Sequence, residues 1–170
     1  MTPDDIPAVM VVDRASFPTP AKEQLFINEL TGNTLAHYHV LTLAAADGGE
    51  RVAGFSGYWF IADEIHISTI AVHPAYRGRR WGELLLANLL LDAMALDPIL
   101  VTLEVRRSNI AAQRLYAKYR FEIVGERRRY YHDTGEDAIL MTVTLAGQPD
   151  YMAWLKEQAG VLLATLVSEA

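Results

Sequence analysis

Apolar positions along the chain change period in a regular order, and each change marks an element. Thr2-Pro3-Asp4-Asp5 reads as a helix start, and Ile6, Val9 and Met10 then fall on one helical face. Phe17-Pro18-Thr19-Pro20 interrupts that helix as an extended turn. Thr19 is expected to cap a second helix, with Pro20 at its first position, Leu25, Phe26 and Leu30 as its buried stripe and Gly32-Asn33 as its stop. Alternation predicts two strands over 37–45 and 51–61, joined by Asp47-Gly48-Gly49, a tight hairpin signal. A third strand is predicted over 65–72, a long apolar helix over 79–96 and a break at Asp97-Pro98. The next strand, 99–105, is largely apolar on both faces, as in a central strand covered on both sides. A short helix over 110–119 and two strands over 121–131 and 137–145 follow. In the tail from 148 to 170, Tyr151, Trp154, Leu155, Leu162, Leu163 and Leu166 recur at helical spacing with Lys156 and Glu157 opposite. That stripe either packs on the domain (1–147) or docks a second subunit, so the chain is expected to be a monomer or a homodimer through this C-terminal extension.

Composition narrows the function classes. A chain of 170 residues is long enough for one domain with a real core. With no cysteine, there is no thiol nucleophile, disulfide framework or cysteine-ligated zinc. The net charge of −6 argues against general nucleic-acid binding and suits a cationic partner. The acidic, polar start is unlike a signal peptide, and no apolar run approaches the ~20 residues that span a bilayer, so a soluble, cytoplasmic protein is the expectation.

Chemistry concentrates between Ile70 and Asn109. A strand running through Ile70, Ala71 and Val72 meets a loop with Arg77, Gly78, Arg79 and Arg80, which feeds a helix at Trp81-Gly82. Strand, basic loop and helix N-terminus together make an anion site, because the first N–H groups of a helix lack intrahelical partners and sit at the positive end of its dipole. The segment is therefore either a cradle for a pyrophosphate or a solvated basic turn. Glu104, near the end of an apolar strand, is either paired to Arg106 or another arginine, or acts as a general base. Tyr116, on the following helix, is either packing or an acid. Asn109 reads first as a helix cap and second as a ligand contact. His37 and His39 share a strand face but have no evident third ligand, so no metal site is expected. No Gly-x-Ser-x-Gly or Gly-x-x-x-x-Gly-Lys-Ser/Thr motif is present, which sets aside serine hydrolases and P-loop NTPases.

The run Ile70-Ala71-Val72-His73-Pro74 followed by Tyr76-Arg77-Gly78-Arg79-Arg80-Trp81-Gly82 resembles motif A of the GNAT acyl-CoA-dependent N-acetyltransferases. Leu103 to Asn109, Ala112-Gln113-Arg114-Leu115-Tyr116, Phe17 to Pro20, Arg129-Tyr130-Tyr131 and Gly135 to Ala138 resemble a narrower, RimI-type branch that acetylates N-terminal alanines of ribosomal proteins. The resemblance covers about residues 2–145. It implies an α/β (α+β) fold: a mixed, mostly antiparallel sheet with helices on both faces, splayed to make an acetyl-CoA cleft. It implies that Ile70, Ala71 and Val72 and the amides from Arg77 to Gly82 hold the cosubstrate, with Asn109 further along it. By the same resemblance Glu104 is the base and Tyr116 the acid, and a peptide N-terminus, ribosomal in the branch, enters between Phe17-Pro18 and Tyr130-Tyr131. The alternatives are a relative acting on lysine or a small amine, and a non-catalytic acyl-CoA binder.

Three departures from the family pattern carry expectations. Arg80 replaces the first motif-A glycine, so either the loop needs no positive φ there or the arginine adds a charge contact. Arg120 replaces the glycine after the short helix, which predicts strain or a rearranged cap. The family's usual first strand is absent upstream of the first helix, so the strand at 37–45 should be a sheet edge, with the C-terminal helix as candidate cover.

Overall fold

The computed structural model describes residues 1–45 and 48–168. Asp47 of the predicted hairpin turn lies outside the described residues. Thr2 opens the first helical segment through a capping box with Asp5, and α1 runs Ile6–Ser16. The remaining α-helices and strands are α2 (Glu23–Thr31), β1 (Ala36–Ala44), β2 (Glu50–Ile61), β3 (Glu64–Val72), α3 (Trp81–Ala93), β4 (Leu100–Arg106), α4 (Ile110–Lys118), β5 (Glu122–Tyr131), β6 (Glu136–Thr144) and α5 (Tyr151–Ser168).

The strands form one six-stranded sheet in the order β1-β2-β3-β4-β6-β5. All neighbours are antiparallel except β3 and β4. One face of the sheet is covered by α1 and α2, through Ile6, Val9, Met10, Val12 and Phe26 against Tyr38, Phe55 and Ala71. The other is covered by α3, whose Leu86, Leu89 and Leu90 are fully buried. Burying each of these leucines contributes about 1.5–3 kcal/mol. The sequence of α3 is apolar nearly all round, which requires cover on two sides. The sheet is one side and α5 is the other: Tyr151, Leu155, Leu162 and Leu166 join the same core.

Three local expectations fail. Thr19 does not cap the second helix. That helix starts at Glu23 after Lys22, and Thr19 Oγ1 instead donates to Asp133 Oδ2 at 3.3 Å. Leu25 and Leu163, assigned to buried stripes, are exposed, whereas Phe26 and Leu162 are buried as expected. The C-terminal helix does not cover the β1 edge, because the α3 face claims its stripe. No seventh strand pairs outside β1 among the described residues, and the Met1 amino group donates to the Tyr38 carbonyl at 3.2 Å.

The feature that makes a site is where pairing stops. β3 and β4 pair in parallel only from Glu64–Leu100 to Ile67–Leu103. At that point β3 carries an extra residue: Gly57 faces Thr69 while Tyr58 faces Ile67, so Ser68 is bulged. A bulge bends its strand and increases its twist. Beyond it β3 and β4 diverge, and a cleft opens between Ser68–Val72 on one side and Glu104–Arg106 on the other.

Candidate active site

Two connected hollows fill the splay. One, of about 320 Å³, is lined by Phe17, Pro18, Ile70, Glu104, Asn109, Tyr116 and Tyr131 among others. The second, of about 350 Å³, is lined by Ile70, Val72, Arg77, Gly78, Arg80, Trp81, Gly82, Asn109 and Tyr116 among others. Ile70, Asn109 and Tyr116 belong to both and mark the junction.

Strand register decides which backbone groups reach this cleft. His73 N–H donates to Ala53 O across to β2, and Gly54 opposes Val72, Phe55 Ala71 and Ser56 Ile70. Antiparallel neighbours alternate between bonded and non-bonded pairs. Ile70 and Val72 therefore turn their N–H and C=O away from β2, into the cleft. The Val72 carbonyl accepts from Arg77 Nε at 2.9 Å and Ser16 Oγ at 3.3 Å on that side, which agrees with the alternation. Ala71 points its backbone at β2 and its buried side chain into the α1–α2 core, so it stands behind the cleft.

The loop before α3 contains two left-handed residues, Gly78 at φ 79° and Arg80 at φ 60°. The motif position does require a positive φ, so the first alternative for Arg80 is excluded. An L-residue there costs ~1–2 kcal/mol relative to glycine. Arg80 Nε pairs with Glu83 Oε2 at 3.2 Å. The first helical N–H groups with a carbonyl partner are those of Glu83 and Leu84, both on Arg80 O. Those of Trp81 and Gly82 precede them and face outward at the positive end of the α3 dipole. Arg79 is exposed and lines neither hollow. Outward strand amides, outward helix amides and arginines in one continuous groove fit a pantetheine arm ending in a pyrophosphate.

On the opposite wall, Glu104 pairs with Arg127 Nη2 at 3.2 Å. Arg106, the first partner considered from sequence, is taken by Asp133 at 2.7 Å and Glu136 at 3.5 Å. Its guanidinium lies 3.9 Å over the Tyr131 ring, fixing that wall of the cavity. Arg106 holds the Asp133 carboxyl below the usual carboxylate range, and Ser108, through its side chain and then its backbone N–H, does the same for Glu136. Tyr130 is exposed, stands edge-on to Tyr131 at 5.2 Å, and lines neither hollow. Asn109 caps α4 by accepting from Ala112 N–H at 3.2 Å, and it also faces the cleft. Burial pushes the Tyr116 phenol up to about 12, with a smaller contribution from Tyr131, so its proton is retained across the neutral range.

Some participants were not visible as motifs. Asp13 is buried, and its carboxylate accepts from Ala21 N–H at 2.7 Å, holding the Phe17–Pro20 loop against the cleft. The signal available in sequence was a lone acidic residue ending the apolar run from Val9 to Val12, just before that loop. Ser68 and Arg127 had no signal, since a bulge and a pairing between distant strands are not local patterns. His37 and His39 lie elsewhere: His39 Nε2 is 3.3 Å from Asp92 Oδ2, and His37 stacks flat on Tyr58. No helix among the described residues is long and apolar enough to cross a membrane.

The comparisons with known proteins agree with this geometry. The chain is 39% identical over 142 residues to a Bacillus subtilis (strain 168) protein named as a ribosomal protein bS18-alanine N-acetyltransferase, covering 84% of this chain and 91% of that protein. It is 33% identical over 144 residues to the ribosomal protein bS18-alanine N-acetyltransferase of Salmonella typhimurium, covering 84% of this chain and 93% of that one. The crystal structure of the ribosomal-protein-S18-alanine N-acetyltransferase from Escherichia coli matches with a TM-score of 0.75 at 29% identity, over 85% of this chain and 90% of that chain. The sequence profile described as the acetyltransferase (GNAT) family matches residues 7–121, from α1 through α4. On that match the chain belongs to the GNAT acetyltransferase family.

Proposed function

We propose that the chain transfers the acetyl group of acetyl-CoA directly to the N-terminal α-amine of a protein, with an alanine N-terminus of a small-subunit ribosomal protein as the acceptor class. The observation that carries this reading is the two-sided cleft, with Glu104 on the acceptor side, Tyr116 at the junction and outward strand amides along the other side. The names of the relatives point to the same acceptor.

The chemistry follows from those positions. An α-amine has a pKa of about 7.7–8.0, against ~10.4 for lysine, so it needs little help to be neutral. Glu104, through a water, takes the proton as the nitrogen attacks the thioester carbon. The outward Val72 N–H stabilises the oxyanion. The new N–C bond forms, the C–S bond breaks, and Tyr116 supplies the proton to the departing thiolate. Amides from Arg77 to Gly82 hold the pyrophosphate, and Asn109 lies along the arm. Phe17-Pro18 and Tyr131 flank the entering peptide, with Tyr130 at its outer rim.

The test is mass spectrometry of acetyl transfer from acetyl-CoA. Acceptors are peptides with free Ala, Ser, Gly or Met N-termini followed by basic residues, plus blocked peptides carrying an internal lysine. Acetyl on the α-amine of the Ala peptide is the expected result. Acetyl on lysine alone would overturn the reading. Glu104→Gln should bind acetyl-CoA normally and lose about 10²–10⁴-fold in kcat.

A further inference from the structure

The end of α4, one turn beyond Tyr116, is built in an unusual way. Tyr119 closes the helix and Arg120 follows at φ 65°. Arg120 N–H donates to Ala117 O at 3.0 Å, and Phe121 N–H donates to Tyr116 O at 3.1 Å. The Phe121 ring rests against the Tyr116 ring, with 5.9 Å between centroids. This is a Schellman motif, complete with its hydrophobic contact, and its left-handed position normally belongs to glycine. Here an arginine occupies it against its own Cβ.

The compensation comes from the C-terminal extension. The Arg120 guanidinium lies 4.2 Å over the Trp154 ring and 5.8 Å from the Tyr151 ring, and its Nη1 reaches Gln148 Oε1 at 3.5 Å. Tyr151 donates its hydroxyl to the Tyr119 carbonyl at 3.1 Å, in a buried bond that closes one of the open carbonyls of the helix end. Trp154 stands edge-on to Tyr119 at 5.9 Å. From the other side, the fully buried Tyr119 donates to Glu83 Oε1 at 3.2 Å, and Glu83 also holds Lys118 Nζ and Arg80 Nε. The last turn of α4 is thus gripped between α3 and α5, and Tyr116 is the residue whose carbonyl and ring complete the motif.

We infer that α5 is a brace for catalysis: Tyr151 and Trp154 are positioning residues that hold α4 so that the Tyr116 phenol meets the leaving sulfur. The inference rests on the assignment of Tyr116 as the acid. Neither residue lines the cleft, so their effect must pass through α4.

The test is steady-state kinetics of the full chain with acetyl-CoA and an Ala-initiated peptide. Trp154→Ala should lower kcat about tenfold, the scale of a small misplacement of a catalytic group, with KM for acetyl-CoA within about twofold. Two backgrounds separate positioning from general stability. In Arg120→Gly, where glycine adopts the left-handed backbone unaided, Trp154→Ala should recover most of the lost rate. In Tyr116→Phe, which is itself slow, Trp154→Ala should add nothing. Tyr151→Phe deletes only the hydroxyl bond to Tyr119 O and serves if Trp154→Ala does not fold. Its drop in kcat should be about threefold, a single hydrogen bond's share, and should vanish in Tyr116→Phe. An unchanged kcat in folded Trp154→Ala or in Tyr151→Phe, or a drop that persists undiminished in Tyr116→Phe, overturns the brace. If Tyr116→Phe alone is as fast as the unaltered chain, the acid assignment falls first and the brace with it.

Discussion

Arg80 offers a sharp test of how the loop before α3 is built. Its backbone is left-handed, and its side chain is joined to Glu83. Arg80→Ala and Arg80→Gly both remove that ion pair and the charge, so the difference between them isolates the backbone. At an ordinary position alanine is the more stable of the two, because glycine loses more freedom on folding, by roughly 0.5–1 kcal/mol. At φ 60° a Cβ costs ~1–2 kcal/mol, which outweighs that entropy. Taking the middle of both ranges, the glycine variant should be more stable by about 0.7 kcal/mol, a Tm higher by roughly 2 °C for a chain of this size. Urea unfolding of the two variants, at fixed pH and without acetyl-CoA, reads the difference. Isothermal titration with acetyl-CoA should show both variants binding more weakly than the unaltered chain. An alanine variant equal to or more stable than the glycine variant would refute the left-handed assignment and the strain argument built on it.

Two other predictions follow from buried geometry. A Cβ at Gly57 would lie 2.4 Å from the Tyr38 ring, opposite the Ser68 bulge, so Gly57→Ala should destabilise by about 1–3 kcal/mol in urea unfolding, and no loss would show that the ring moves freely. Burial raises the Asp13 pKa, outweighing the lowering by the Ala21 N–H and Arg14, so its contribution is fully present below its unfolded value near 3.9 and is lost as pH rises through the higher folded value. Asp13→Asn keeps an acceptor for Ala21 without the charge and should gain on the unaltered chain between pH 4 and pH 7, whereas Asp13→Ala leaves that donor unpaired and should lose about 1–3 kcal/mol; an Asn variant that loses ground over the same pH interval contradicts the sign.

What the chain determines by itself is what can be read from neighbours in sequence. Helical and alternating periods place α1, α3, β4 and α5 within about three residues at each end, because each period commits a face to burial. The strand–arginine loop–helix run from Ile70 to Gly82 was legible because its parts are contiguous and the anion site proposed there is built from backbone amides. Glu104 stood out as a carboxylate in an apolar strand. The strain at Arg120 was flagged by the family resemblance, which places a glycine after the short helix, and its φ of 65° agrees.

Tertiary structure decided the rest, wherever a choice depended on groups far apart in the chain. The partner of Glu104 is Arg127 and not Arg106, because the strand order β4-β6-β5 delivers one arginine to it while the β5–β6 turn captures the other. Thr19, a sound cap by local rules, is claimed by Asp133 across the cleft. The cleft itself depends on one extra residue in β3, which only its register against β2 reveals. The C-terminal helix settled on α3 and α4 and left the β1 edge alone, because the second apolar side of α3 and the Arg120 guanidinium both required cover. Local periodicity says which face of an element seeks burial. Which partner answers is set by the competition among all the faces the chain must bury at once.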